Sequence, residues 1–303
     1  MSTLTATSPD VARTQGMLLV FLAGVLWSTV GLGIRLIEEA QVWQILIYRS
    51  AALSLLLFVV IRLRSGRNPF ALARRAGWIG FLGAVSLVAA YSGGIYAIQT
   101  TSVANAMLLF ASAPFMTAIL GLLILRERVR WQTWAAIALA IAGITVMVWD
   151  KSGATQWSGN LAALGSAFGF AVFTITLRIN RAGETLPIVF LSGIIGIPIM
   201  ILICTASGLP LLITPRDTSI ALAMGMFQVG AGLVLYTLGS RSVPAVELTL
   251  LSLAEVVLAP FWVWLVIGEV PSHFTIIGGA ILLLAIIGNA VTGIRRKPPI
   301  LPG

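Results

Sequence analysis

Three ionisable side chains stand inside long apolar runs of this 303-residue chain: Arg49, Glu247 and Glu255. In hydrocarbon a charge costs at least about 2.5 to 3.5 kcal/mol on insertion scales, so it persists where something offsets that cost. Arg49 offers a planar fork of donors that fits a substrate carboxylate. It serves equally to tie helix ends together through backbone carbonyls, or to run along its own stem to the surface. Glu255 suits a proton carrier or a partner for a substrate ammonium group, and equally a neutral acid hydrogen-bonded across helices. Glu247 lies about 80° away in projection and about 12 Å along an ideal helix, so the two acids share one broad face. Nearer its helix end, Glu247 reads as structural. Gln228 and Asn105 are amides that demand partners in hydrocarbon, supplied by a ligand or by neighbouring helices; Asn105 lines up with Ser112 on one polar face.

Trp27 is the tryptophan farthest from any helix end, and Ser28 and Thr29 follow it. A large ring beside hydroxyls suits an amphiphilic ligand, an apolar surface with a few polar groups that fix orientation. Tyr91 is another polar-tipped aromatic away from the ends. Such rings also serve as plain packing. As a binding constellation, Trp27 and Tyr91 would contact the apolar part of a ligand, Ser28, Thr29 and Gln228 would orient its polar part, and Glu255 would contribute charge or bind a proton. Arg49, Asn105 and Glu247 are further candidates. Catalysis finds no such constellation. With one histidine, His273, one cysteine, Cys204, and no aspartate within the apolar runs, neither a serine–histidine dyad nor a zinc cluster nor an aspartate pair can be assembled. No enzyme, cofactor or metal is expected, and a single cysteine forbids an internal disulfide.

The elements that must position these residues are membrane helices. About 20 apolar residues cover the roughly 30 Å hydrocarbon core, and such segments run over 16–37, 42–63, 76–98, 102–125, 131–149, 157–178, 186–206, 219–238, 244–267 and 274–294. The composition, 58% hydrophobic and 10% charged with a mean hydropathy of +1.01, belongs to a multispanning protein. The first run is too long for a cleaved signal peptide and reads as a retained helix. Tails at 1–15 and 295–303 flank five-helix units at 16–149 and 157–294.

Basic residues collect at cytoplasmic helix ends. With the N-terminus inside, fifteen Lys and Arg residues fall on the cytoplasmic side and three, Arg35, Lys151 and Arg216, on the other. Both termini are therefore expected in the cytoplasm, and the net charge of +9 reflects topology rather than nucleic-acid binding. Most tryptophans mark the two interfaces: Trp43, Trp149, Trp157, Trp262 and Trp264 outside, Trp78, Trp131 and Trp134 inside.

Laid on itself at an offset of 140 to 143 residues, the chain repeats. Leu108-Leu109 falls on Leu250-Leu251, Glu127 on Glu269, Gly83 on Gly225, Arg35 on Arg178, Trp27 on Phe170 and Asn105 on Glu247. Each half has an odd number of spans, so the halves lie upside down relative to one another. Inverted repeats are a recurring design of secondary transporters, with the substrate site near the midplane between them. Glycines four apart, Gly165 and Gly169, suit close helix approach, and Pro114, Pro198 and Pro260 are expected bends.

Leu26-Trp27-Ser28-Thr29, Arg49, Pro114 with Glu127, and Ala254-Glu255-Val256 with Gly268-Glu269 resemble the EamA-type members of the drug/metabolite transporter (DMT) superfamily over essentially the whole chain. Val256 stands where the second repeat usually has proline. The resemblance implies an all-α integral membrane protein, ten helices in two inverted five-helix repeats around a central cavity, that exports small metabolites across a bacterial inner membrane. The Leu-Trp-Ser-Thr start is similar to YddG-type aromatic amino acid exporters. The expected function is export of small amphiphilic metabolites, aromatic or large apolar amino acids above all, by alternating access. A multidrug cation exporter of the same superfamily and an uncoupled facilitator are the rivals. The expected partners are the small-molecule substrate, the lipid bilayer and coupled protons, with one chain supplying a complete site.

Overall fold

A computed structural model describes residues 9–149, 154–180, 185–240, 242–243 and 245–294. Helix follows helix: α1 (Pro9–Ser28), α2 (Val30–Arg35), α3 (Val42–Ser65), α4 (Pro69–Arg75), α5 (Gly77–Thr100), α6 (Val103–Phe110), α7 (Ala113–Leu125) and α8 (Trp131–Val148) form the first half. The second half holds α9 (Ala154–Ile179), α10 (Thr185–Ala206), α11 (Pro215–Ala223), a π-helical segment (Met224–Ala231), α12 (Gly232–Gly239), α13 (Ala245–Ile267) and α14 (His273–Ile294). Among the described residues nine helices or helix pairs are long and apolar enough to cross a membrane; α13, apolar over Ala254–Ile267, supplies the tenth.

Several spans are broken for local reasons. The first bends at Thr29, whose Oγ1 donates to the Leu26 carbonyl at 2.7 Å, so the hydroxyl occupies a main-chain acceptor in the last turn of α1. The fourth breaks at Ala111-Ser112 because Pro114 has no amide hydrogen to continue the ladder. The eighth span begins at Pro215, four residues ahead of the expected start. Thr214 caps it by accepting from the Asp217 amide at 3.2 Å, and proline suits the first helical position. That start draws in Asp217, an aspartate the apolar pattern leaves outside the span. Fully buried, it accepts from the backbone amides of Glu38, Glu39 and Ala40 at 3.0–3.1 Å and pins the α2–α3 connection to the head of α11.

Packing follows the inverted repeat. The second and seventh spans pair with each other (α3 with α10), as do the fifth and tenth (α8 with α14). The other contacts come in matched sets: α1 packs on α12 and α13, while its repeat-mate α9 packs on α5 and on α6 and α7. Glycines let these backbones approach. A Cβ on Gly169 would lie 2.9 Å from the Ser86 carbonyl oxygen of α5, and one on Gly16 would lie 2.8 Å from the Gly239 carbonyl oxygen of α12. Gly165, expected to share that role, faces nothing within 4 Å. The buried core between the halves is built from side chains such as Ile45, Leu46, Leu109, Val263 and Leu282.

Candidate solute site

The π-helical segment is the hub. It packs against α3 on one side and α1 on the other. Its Gly225 abuts the backbone carbonyl of Arg49, where a side chain would collide with main chain, and Gly232, just past it, abuts the indole nitrogen of Trp27. Single π turns inside α-helices recur at functional sites. Between these two glycines stands Gln228, buried, whose Nε2 donates to the Trp27 carbonyl at 3.2 Å. Its Oε1 is buried with no hydrogen-bond partner.

Trp27 is half-buried, its ring 5.4 Å from that of Tyr236 on α12 and tilted by 39°. The two rings make an aromatic wall from both halves. Ser28 and Thr29 use their hydroxyls within the chain. Ser28, fully buried, donates to the Val25 carbonyl at 2.7 Å and accepts from the Trp262 indole at 2.8 Å, while Thr29 bonds back to Leu26. Trp262, expected at the outer interface, therefore turns inward to α1, whereas Trp264 beside it stays exposed.

Glu255 is half-buried on α13 beside α1: a Cβ on Gly24 would lie 3.9 Å from its backbone nitrogen. It makes no hydrogen bond or ion pair with any described residue. The Glu247 side chain lies outside the described residues. Arg49 is buried at 9% exposure, with its guanidinium carbon 5.6 Å from the centre of the Tyr91 ring. Tyr91 donates its hydroxyl hydrogen to Ser192 Oγ on α10 at 2.9 Å, and Ser192 donates onward to the Val189 carbonyl. Asn105 lies elsewhere, its side chain in a buried network with Asn160, Thr101 and Thr275, and its backbone amide donates to Ser102 Oγ. The structure thus gathers Trp27, Gln228 and Tyr236 around one helix break, with Glu255 beside the same helix and Arg49 with Tyr91 across the π segment. Asn105 is satisfied by its own neighbours.

At the two ends of the bundle stand two ion pairs that the repeat relates to one another, apart from a third between Arg216 and Glu38. Arg35 Nε meets Glu269 Oε2 at 2.8 Å, and Arg178 Nη2 meets Glu127 Oε1 at 2.7 Å. Arg35 also donates to the Thr101 carbonyl, and Glu269 accepts from the Val103 amide.

A family model described as the EamA-like transporter family matches the chain twice, over residues 14–149 and 157–291. The chain belongs to the EamA-like transporter family. Among its relatives, the pseudopaline exporter CntI of Pseudomonas aeruginosa is 26% identical over 92% of this chain and 96% of its own length. An uncharacterized transporter of Bacillus subtilis, YwfM, is 27% identical over 72% of this chain and 74% of its own. A protein of known crystal structure superposes with a TM-score of 0.66 at 17% identity, over 94% of this chain and 98% of that one, a likeness of fold. This EamA-like protein is a multi-pass membrane transporter.

Sequence reading missed two features of this EamA-like chain. Tyr236 escapes because an aromatic near a span end reads as an interface anchor. The ion pairs escape because an offset relates repeat-mates to one another and does not say which residues touch. The signal was present all the same: with Arg35 on Arg178 and Glu127 on Glu269, an inverted repeat requires that a contact made at one end be made again at the other.

Proposed function

We propose that this transporter exports small amphiphilic metabolites, with aromatic and large apolar amino acids as cargo, by alternating access. The observation that carries the reading is an aromatic wall, Trp27 with Tyr236, adjoining polar groups with unused capacity, Gln228 Oε1 and Glu255. Trp27 and Tyr236 contact the apolar part of the cargo, and Gln228 accepts from its polar part. Ser28 and Thr29 shape the break that presents the Trp27 carbonyl to Gln228. Tyr91 bounds the site across the π segment, and Glu255 faces the ammonium group or carries a coupled proton. The excess of basic residues on one side supports both termini in the cytoplasm of a bacterial cell, and a site drawn from both halves supports a working monomer. The export of pseudopaline by the Pseudomonas relative favours the outward direction.

Glu255, unpaired among the described residues, favours one rival, an organic-cation exporter with that acid as counter-charge. Uptake of labelled aromatic, aliphatic and charged amino acids and of an organic cation into liposomes holding the purified protein, with and without a pH gradient, separates them. Saturable uptake of aromatic and aliphatic amino acids is expected. Uptake of the cation alone replaces the reading with its rival, and amino acid uptake indifferent to the gradient makes the protein an uncoupled facilitator.

A further inference from the structure

Among the described residues Arg49 is a buried cation without a counter-ion. Tying helix ends together would require its guanidinium to donate to carbonyls, yet it donates no hydrogen bond to any described residue, and its Nε is buried and unpartnered. Reaching the surface would leave it exposed, and it is 91% buried. The described acids are engaged elsewhere or unpaired: Asp217 with the α2–α3 backbone, Glu269 with Arg35, Glu127 with Arg178, Glu38 with Arg216. What does hold Arg49 is the face of Tyr91, whose hydroxyl is itself fixed by Ser192. A ring face steadies a guanidinium without using its hydrogen-bond donors. Tyr91 is therefore a positioning residue: it holds the guanidinium, whose donors meet no acceptor among the described residues.

The surroundings are small. Ser50 follows Arg49 on α3, and Gly193 and Gly196 line the facing side of α10; a Cβ on Gly196 would sit 3.9 Å from the Tyr91 hydroxyl. Gly225 of the π segment presses on the Arg49 backbone, and Gln228, one turn on, reaches Trp27. The backbone of Arg49 and that of Trp27 thus flank the same segment, with the Arg49 side chain turned to Tyr91 and the Trp27 ring to Gly232.

We infer, on the exporter reading above, that Arg49 is the anion-binding residue of the solute site and takes a carboxylate of the cargo. A guanidinium and a carboxylate match as two parallel charge-assisted hydrogen bonds, and lysine cannot reproduce that fork. Cargo is thereby sorted by its acid group, with the apolar part lying toward Trp27.

The test compares three probes of one shape on the full chain in lipid nanodiscs: phenylalanine, 3-phenylpropanoate, which lacks the amine, and phenethylamine, which lacks the carboxylate. For the unaltered protein, phenylalanine and 3-phenylpropanoate are expected to bind at least 10-fold more tightly than phenethylamine. Arg49→Met is expected to erase that preference and Arg49→Lys to reduce it. Equal or tighter binding of phenethylamine by the unaltered protein overturns the assignment, and this comparison decides the matter even where Arg49→Met fails to fold. A preference unchanged in Arg49→Met overturns it as well. Failure of the exporter reading looks different: no saturable uptake of phenylalanine into liposomes, while Arg49-dependent binding of 3-phenylpropanoate persists.

Discussion

Gln228 holds its amide in two unequal ways. Its nitrogen is bonded to the Trp27 carbonyl and its oxygen to nothing, which leaves a buried acceptor that costs about 1–3 kcal/mol. A solute donor placed there recovers that cost, so the defect favours the loaded state. Gln228→Leu removes both the bond and the orphan oxygen. It is expected to weaken cargo affinity about 10-fold while the thermal midpoint stays within about 2 °C, measured by ligand titration and by melting of the detergent-solubilised protein. Trp27→Ala takes away the wall itself, and transport should fall by 10-fold or more with insertion retained; unchanged kinetics would remove Trp27 from the site. Glu255→Gln keeps shape and loses charge. If the acid carries a coupled proton, its liposomes lose acceleration by a pH gradient; retained acceleration leaves Glu255 to the solute. At this scale the sequence tells which side chains are anomalous in hydrocarbon, and Arg49, Gln228 and Glu255 were visible that way. It does not tell that Ser28 spends its hydroxyl on Val25 and Trp262, because rotation about an all-round apolar helix is set by neighbours rather than by its own pattern.

The elements carry contacts that no single side chain reveals. The eighth span was legible as a helix, but its π-helical segment was not, since apolar periodicity does not distinguish one extra residue per turn from none. The segment matters because it lets glycines meet Arg49 and Trp27 at their backbones and ring edge. Gly232→Ala puts a methyl group into the Trp27 indole, and overpacking of this kind costs about 1–3 kcal/mol. The expected result is a lower thermal midpoint together with weaker transport. Gly165→Ala, at a helix glycine with nothing within 4 Å, is expected to leave transport intact and to raise stability by about 0.5–1 kcal/mol. Equal effects at both positions would show that helix propensity, not contact with Trp27, decides.

On the scale of the whole molecule, the inverted repeat was readable from a handful of matches at nearly one offset, and the number of spans from hydropathy. Which helices touch was not, since contact between spans depends on side-chain fit that hydropathy does not encode. The two ion pairs are the clearest product of that arrangement. Partly exposed pairs of this kind contribute about 0–1 kcal/mol, which suits contacts made and broken within a transport cycle. The Arg35 pair, at 25% and 22% side-chain exposure, is better shielded than the Arg178 pair at 45% and 44%, and it has extra backbone bonds. Arg35→Ala is therefore expected to open its end of the bundle more than Arg178→Ala opens the other, read as labelling of single cysteines introduced near each pair.

Each pair joins the cation of one half to the anion of the other, and the two pairs exchange those roles. That is the pattern of a self-complementary dimer, in which a surface meets an inverted copy of itself. The two halves are then expected to assemble without a covalent link between them. Chains severed between positions 149 and 157 and made together should reassemble into a working transporter. The charges also amount to a private code for finding the right mate. A first fragment carrying Arg35→Glu and Glu127→Arg should assemble less well with the ordinary second fragment than with one carrying Arg178→Glu and Glu269→Arg.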